Sequence, residues 1–250
     1  LVVLHQLEPL LQDLEQKGAL FVEDLATVPK GSPVIFSAHG VAPEVFDQAD
    51  KYQLHAIDAT CPLVTKVHLE ARRFAARDFT ILLIGHAEHV EVEGVVGEAP
   101  ERTIVVATAA EAELVEVPDP TKIGVVTQTT LSVDEAMQVM AVLQRRFPEP
   151  RTPRKEDICY ATTNRQMAVK SLRGKVDIWL VIGDPMSSNS NRLRELGAQS
   201  GVPAHLLLGP DEVKAEWFEG VESIGLTSGA STPESSVLAV VDRLKELGVT

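Results

Sequence analysis

Short apolar runs recur along the chain, and each gives way to a small polar loop and then to a stretch with helical periodicity. The run at 80–84 leads into Gly85, and the run at 178–182 leads into Gly183. Fully apolar runs that alternate with amphipathic helices predict parallel strands buried on both faces. Runs of the same kind lie at 34–36, 123–126 and 224–226. The predicted fold class is therefore α/β.

Capping signals mark the predicted helix starts. Ser132 and Glu135 have the spacing of a capping box. At 232–234, a threonine, a proline and an acid predict a cap, a first helical position and a first turn. The last helix is expected at about 234–247.

Two boundaries divide the chain into three units of similar build. One falls near Pro62, where a helix at about 63–76 is expected to begin, and the other falls in the proline-rich segment 147–153. The predicted domains are a remnant of a first α/β unit at 1–62, a second α/β unit at 63–152, and a third α/β unit with a C-terminal helix at 153–250.

Charge and composition exclude several classes of protein. The formal net charge of −13 disfavours a nucleic-acid partner. No apolar run approaches the roughly 18 residues of a membrane span, so we expect no membrane partner either. Two cysteines without a secretion signal fit a reducing compartment and predict a cytoplasmic protein. The basic run at 145–155 is either a solvated linker or a docking patch for an acidic electron carrier.

Polar side chains follow many of the predicted strands. Ligands of α/β folds lie beyond the carboxyl ends of the strands, where the next helix favours anions. These loops carry hydroxyls, amides and imidazoles but no G-x-G-x-x-G or Walker A sequence, which predicts a small phosphorylated ligand. The candidates are His39, His89, Thr129, Ser187, Ser188, Asn189 and Ser231. Each could instead be a structural histidine or a helix cap.

The two cysteines occupy similar positions. Predicted strand ends at 56–60 and 157–158 lead to Cys61 and Cys159. A cysteine there is either a small core residue or a thiolate ligand to iron. The absence of a Cys-x-x-Cys pair argues against structural zinc.

Glu91 is a candidate general acid. It lies two residues after His89, at the expected start of a helix that faces the strand ends. The alternative is a solvated surface carboxylate, and Glu93 on the same segment is the rival candidate for the acid.

At these motifs the sequence resembles the 4-hydroxy-3-methylbut-2-enyl diphosphate reductases, the LytB family. The resemblance runs from about Gly18 to the C-terminus. The matching stretches are 37–41, 58–68, 85–94, 127–134, 157–166, 187–193 and 228–233. The family implies three small parallel-sheet α/β units in a trefoil around a central iron–sulfur site. It also implies reductive removal of an allylic hydroxyl, which gives isopentenyl and dimethylallyl diphosphate by the non-mevalonate route.

The resemblance further implies a role for each matching residue. Cys61 and Cys159 match ligands of a 4Fe-4S cluster, and Glu91 matches the acid that delivers a proton. Thr129 matches a relay near the substrate hydroxyl, with Asn189 close to that hydroxyl. The implied diphosphate contacts are His39, His89, Ser187, Asn189 and Ser231, with Ser188 beside them. The implied electron donor is a ferredoxin or a flavodoxin.

One departure from the family keeps an alternative function open. The family's Cys-Ala-Gly-Val motif does not occur, and the sequence does not begin with Met, so we expect an N-terminally truncated chain without the third cysteine ligand. The alternative is a cluster-free, degenerate diphosphate-binding protein. Glu91, Thr129 and Asn189 favour the enzyme, because a pure binder needs no proton relay. A phosphosugar-binding α/β enzyme without metal would leave the two cysteines unexplained.

Overall fold

The described residues form three parallel sheets of three strands each. The structure is a computed structural model that describes residues 2–3, 15, 17–153 and 157–249. The predicted α/β class with three parallel-sheet units is confirmed. The described residues group into two compact units, which are 2–3 with 19–159 and 160–249 with 15 and 17–18. The domain boundaries near residues 62 and 152 and the trefoil arrangement stay predictions.

The first sheet carries the loop that leads to Cys61. It consists of β1 (Val2–Val3), β2 (Pro33–Phe36) and β3 (His55–Asp58), in the order β1-β2-β3. The register sets Phe36 opposite Asp58, so the carboxyl ends of both strands lie side by side. Helix α1 (Pro43–Lys51) follows β2, and its Ala49 lies in one apolar core with Phe36.

The second sheet has the order β5-β4-β6. Its strands are β4 (Thr80–Ile84), β5 (Thr103–Val106) and β6 (Ile123–Thr127). The helices of this region are α2 (Pro62–Ala75), α3 (Val90–Gly97), α4 (Ala109–Leu114) and α5 (Val133–Arg146). Side chains of β4 alternate between two cores, since Leu82 packs with Leu143 of α5 and Leu83 packs with Val67 of α2. Burial on both faces explains why residues 81–84 of this strand are all apolar.

The third sheet repeats this plan with the order β8-β7-β9. Its strands are β7 (Ile178–Ile182), β8 (Ala204–Leu207) and β9 (Ile224–Ser228), and its helices are α6 (Tyr160–Ser171), α7 (Ser188–Ala198) and α8 (Glu234–Glu246). Leu180 packs with Val240 of α8, whereas Val181 packs with Leu193 of α7. The central strand is again covered on both faces.

The helix predictions agree with the structure. The helices expected at 63–76 and 234–247 are α2 and α8, each within one residue of the predicted bounds. Ser132 caps α5 by accepting a hydrogen bond from the Glu135 N–H at 3.4 Å. No described helix is long and apolar enough to cross a bilayer.

Two local predictions are wrong for a common reason. Asp157 and Ile158 do not form a strand, because the Asp157 carboxylate accepts the Thr127 N–H at 3.0 Å in place of a backbone ladder. Thr232 does not cap α8, because its hydroxyl donates to the Ile182 carbonyl at 3.0 Å and Pro233 occupies the cap position. In both cases a polar side chain binds the backbone of a distant strand, which local sequence does not reveal.

Candidate active site

A buried acid–hydroxyl pair lies beyond the ends of β4 and β6. Glu91, in the first turn of α3, is 1% exposed. The Thr129 N–H donates to its Oε1 at 2.6 Å, and the Thr129 hydroxyl donates to its Oε2 at 2.9 Å. Burial raises the pKa of Glu91 to about 7, although both Thr129 hydrogen bonds oppose this shift. The carboxyl can therefore hold or release a proton near neutral pH. Glu93, the rival candidate, is exposed on the same helix.

His89 connects this acid to the neighbouring loop. It is the N-cap of α3, and its Nδ1 accepts the Glu91 N–H at 3.2 Å. Burial, assisted by His39 and His86, lowers the pKa of His89 to about 4. The ring is then neutral at pH 7, and since Nδ1 is an acceptor, the proton lies on Nε2. His89 therefore offers an uncharged N–H donor while it caps the helix of the acid.

His39 makes an edge-to-face contact with His89. Their ring centroids are 5.7 Å apart at an interplanar angle of 79°. The next residue, Gly40, has a φ of +76°, and a β-carbon there would lie 2.9 Å from the Nε2 of His68. The turn after β2 therefore requires glycine for both conformation and space. The structure thus brings together two histidines that are 50 residues apart in the sequence.

Both cysteines are free, half-buried thiols held by backbone hydrogen bonds. The Cys61 N–H donates to the Ala38 carbonyl at 3.0 Å, and Cys61 is the N-cap of α2. The Cys159 N–H donates to the Thr129 carbonyl at 2.9 Å. Thr129 therefore contacts Glu91 through its N–H and side chain and Cys159 through its carbonyl.

A buried ion pair near the cysteines was missed by the sequence analysis. Asp157, two residues before Cys159, accepts a hydrogen bond from Lys66 Nζ at 2.9 Å. Burial raises the pKa of Asp157 even though Lys66 opposes the shift. Lys66 lies in α2, the helix that Cys61 caps, so this pair ties together the two segments that carry the thiols. Its partners are 91 residues apart, and neither stands at a strand end, so no local signal indicated them.

The second compact unit contains the remaining candidates. The Ser187 hydroxyl caps α7 by accepting the Ser190 N–H at 3.4 Å. Asn189 is 5% exposed, and neither its Oδ1 nor its Nδ2 has a hydrogen-bond partner among the described residues. Ser188 is half-buried in the same turn, and Ser231 is exposed in the turn after β9. A buried amide without partners is costly, which marks Asn189 as a group arranged for a ligand.

Comparisons with known proteins show the family to which this chain is similar. Residues 3–245 match the family model described as LytB protein. The chain belongs to the LytB family. It is 48% identical over 238 residues to the 4-hydroxy-3-methylbut-2-enyl diphosphate reductase of Ralstonia nicotianae, which covers 95% of this chain and 74% of that relative. The corresponding reductase of Burkholderia pseudomallei is 50% identical, with coverage of 95% and 76%.

A solved relative has the same fold. The structure of the E-1-hydroxy-2-methyl-but-2-enyl-4-diphosphate reductase from Plasmodium falciparum superimposes with a TM-score of 0.93 at 39% identity. The match covers 98% of this LytB chain and 77% of that chain.

The LytB family implies an iron–sulfur cofactor, and the thiols fit part of its ligand set. Thiolates are the usual ligands of iron–sulfur clusters, and both cysteines are free and partly accessible. Across the described ranges, no three His, Cys, Asp or Glu side chains form a metal-ion site. The described thiols supply two ligands of this set.

The basic run at 145–155 is partly engaged within the LytB chain. Arg145 forms an ion pair with Glu113, and Arg146 donates to the Val115 carbonyl at 2.8 Å. Arg151 lies over the Phe79 ring, 5.2 Å from its centroid. Arg154 and Lys155 lie outside the described residues. A docking role for this run stays a prediction.

Proposed function

We propose that this chain is a 4-hydroxy-3-methylbut-2-enyl diphosphate reductase that forms isopentenyl and dimethylallyl diphosphate. Its relatives carry that name, and they favour the reductase over the cluster-free diphosphate binder. The observation that carries the proposal is the buried Glu91 carboxyl with a pKa of about 7, both of whose oxygens are bound by Thr129. A protein that only binds a diphosphate has no use for a buried acid of this kind. The predicted cytoplasmic location belongs to the same proposal.

The proposed diphosphate contacts are side chains that can donate hydrogen bonds. His39 and His89 follow strands of the first unit, and His89 presents its proton on Nε2. In the second unit, the proposed contacts are Ser187, Asn189 and Ser231, with Ser188 beside them. Donors fixed before the ligand arrives need no reorganisation, which is the most effective form of electrostatic stabilisation.

The proposed chemistry removes the allylic hydroxyl as water. The overall reaction breaks the C–O bond, forms a C–H bond and consumes two electrons and two protons. Glu91 delivers the proton to the leaving oxygen, and the Thr129 hydroxyl relays it and orients the carboxyl. The pKa near 7 suits this task, because a general acid works best when its pKa is close to the working pH.

The two thiols are the proposed protein ligands of a 4Fe-4S cluster. When bound, such a cluster supplies electrons and an iron that acts as a Lewis acid towards oxygen. Cys61 and Cys159 would hold it together with a further ligand. The Thr129 carbonyl, which accepts the Cys159 N–H, keeps the position of this thiol tied to that of the acid.

A ferredoxin or flavodoxin is the proposed electron donor. Such carriers are acidic, and Arg151 is an exposed cation on the basic run. Arg151→Glu should lower donor-dependent turnover and weaken its dependence on salt, while turnover with dithionite stays unchanged. Arg243→Glu, in an exposed pair on α8, is the matched control. Equal salt dependence in both variants and the wild type would exclude the basic run as the docking site.

Anaerobic reconstitution with iron and sulfide tests the reductase directly. Iron and sulfide are quantified, absorption and EPR spectra are recorded with and without substrate, and products are measured with dithionite as reductant. We expect a cluster whose spectrum changes with substrate, together with both products. Cys61→Ser and Cys159→Ser should lose the cluster and keep diphosphate binding. A wild-type chain that binds inorganic diphosphate but assembles no cluster would support the cluster-free binder instead.

A further inference from the structure

The amide of Asn189 is held in place without hydrogen bonds of its own. Its two polar atoms are buried and have no partner among the described residues. Most buried polar groups bind a neighbour that also fixes their orientation. The orientation of Asn189 must therefore come from the residues on either side of it in the first turn of α7.

Ser190, the next residue, lies in a narrow notch between two strand ends. A β-carbon at Gly183 would lie 2.2 Å from the Ser190 Oγ, and one at Gly229 would lie 2.3 Å from the same atom. Gly183 and Gly229 each follow one member of the register pair Ile182 and Ser228, on adjacent strands β7 and β9. The Ser190 side chain therefore fills the space that two missing β-carbons leave, and it is 1% exposed.

The two glycines are required for space and not for backbone conformation. Neither has a positive φ, so an L-residue could adopt either backbone without strain. Both backbones are fixed within the sheet, since the Gly183 N–H donates to the Leu207 carbonyl and the Gly229 N–H to the Ile182 carbonyl, each at 2.8 Å. An added methyl group would therefore have to displace Ser190, and with it the start of α7, by roughly 1 Å to reach normal contact distance.

We propose that Ser190 is a positioning residue of the diphosphate site. Its side chain, seated between Gly183 and Gly229, fixes the first turn of α7 and so holds the Asn189 amide and the Ser187 hydroxyl in the geometry that binds the anion. Ser187 accepts the Ser190 N–H, so Asn189 is constrained on both sides. This inference rests on the proposed function, since it assigns Asn189 and Ser187 to diphosphate.

A displacement of roughly 1 Å would be enough to disrupt binding. A hydrogen bond lengthened by that amount from its usual 2.9 Å no longer qualifies as one. Loss of one hydrogen bond to a charged group reduces affinity by roughly 10- to 100-fold. We expect losses of that size in variants that narrow the notch.

The distances predict a specific pattern of rescue. In Gly229→Ala, the contact below 3.0 Å involves the Ser190 Oγ, while the Ser190 Cβ is 3.6 Å away, so Ser190→Ala should restore binding. In Gly183→Ala, the Ser190 Cβ itself would lie 2.8 Å away. Ser190→Ala should therefore fail to restore binding there, whereas Ser190→Gly should succeed.

The test measures the affinity of the full chain for inorganic diphosphate by isothermal titration calorimetry, with thermal unfolding recorded for each variant. Gly229→Ala and Gly183→Ala should each lose roughly 10- to 100-fold in affinity. Gly209→Ala is the matched control, because no atom lies within 4 Å of its added β-carbon. Should a single glycine variant fail to fold, its double variant with Ser190 carries the test.

The outcomes separate this inference from the proposed function. Wild-type protein that does not bind diphosphate would refute the site and the role of Ser190 together. Wild-type binding with normal affinity in Gly229→Ala would refute the role of Ser190 alone. A loss of affinity in Gly229→Ala that Ser190→Ala does not reverse, in a double variant that folds, would also refute the role of Ser190.

Discussion

Replacing Glu91 by glutamine should change how the free energy of unfolding depends on pH. The Glu91 carboxyl is 1% exposed, and its pKa is raised from 4.5 to about 7 by burial. At about 1.4 kcal/mol per pH unit, that difference corresponds to about 3 kcal/mol between the folded and unfolded states. Glutamine keeps the shape and can still accept the Thr129 N–H, but it does not titrate.

The free energy of unfolding falls or rises with pH according to which state, folded or unfolded, binds the proton more tightly. The folded chain binds the Glu91 proton more tightly than the unfolded chain does. The stabilisation is therefore fully present below pH 4.5 and is lost as the pH rises through 7. Between pH 5 and pH 8, the wild-type protein should lose about 2 to 3 kcal/mol that Glu91→Gln does not lose. The variant should gain relative stability as the solution becomes more alkaline.

Urea unfolding followed by circular dichroism measures the free energy of unfolding of the wild-type protein and of Glu91→Gln at pH 5, 6, 7 and 8, and the quantity compared is the difference between the two. Other groups titrate in both proteins and cancel in the difference, including His89, whose lowered pKa acts in the opposite direction. Glu93→Gln is the matched control, because Glu93 is exposed on the same helix. A Glu91→Gln difference that changes by less than about 0.5 kcal/mol across this range would refute the buried, protonatable acid.

Substitutions at three further residues test the rest of the site. Thr129→Val removes a hydrogen bond that lowers the pKa of Glu91, so the alkaline limb of the pH–rate profile should move to higher pH, whereas Thr129→Ser should leave it in place. Asn189→Ala should weaken diphosphate binding roughly 10-fold or more in calorimetry while the melting temperature stays unchanged, because the amide has no described partner to lose. Lys66→Met should lower the free energy of unfolding by about 2 kcal/mol in urea, since it leaves the buried Asp157 without its cation, and Lys66→Arg should recover most of that loss.

The central strands and the edge strands β6 and β9 could be predicted from the sequence, whereas the edge strands β5 and β8 could not. Strands β4 and β7 are covered on both faces, so each has a run of at least four consecutive apolar residues that stands out in the sequence. Strands β5 and β8 lie at sheet edges and have four residues each, of which only the last is fully buried. A short segment that is mostly half-buried is harder to distinguish from a loop than a strand that is buried on both faces.

The candidate residues could be predicted by their positions, but their pairings could not. Glu91 and Glu93 lie on one short helix, and sequence spacing gave no reason to choose between them. Two residues along a helix rotate the side chain by about 200°, so one of the two must face away from the strand ends. Contact with Thr129, 38 residues further along the chain, identifies Glu91 as the inward one. Contacts of that range depend on the packing of whole sheets and helices.

In the proposed site, His89 takes part in both anion binding and the placement of the acid that delivers the proton. His89 caps the helix of Glu91 through Nδ1, so a positively charged ring would have to release that cap. An anion near the ring favours its protonation, whereas burial and the two neighbouring histidines favour the neutral form. Because the pKa of His89 is about 4, bound diphosphate would have to raise it by about three units before the ring became charged at neutral pH. Until then, His89 remains a neutral Nε2–H donor, and the acid keeps its capped position through binding. The same residue can therefore recognise the diphosphate without disturbing the group that delivers the proton.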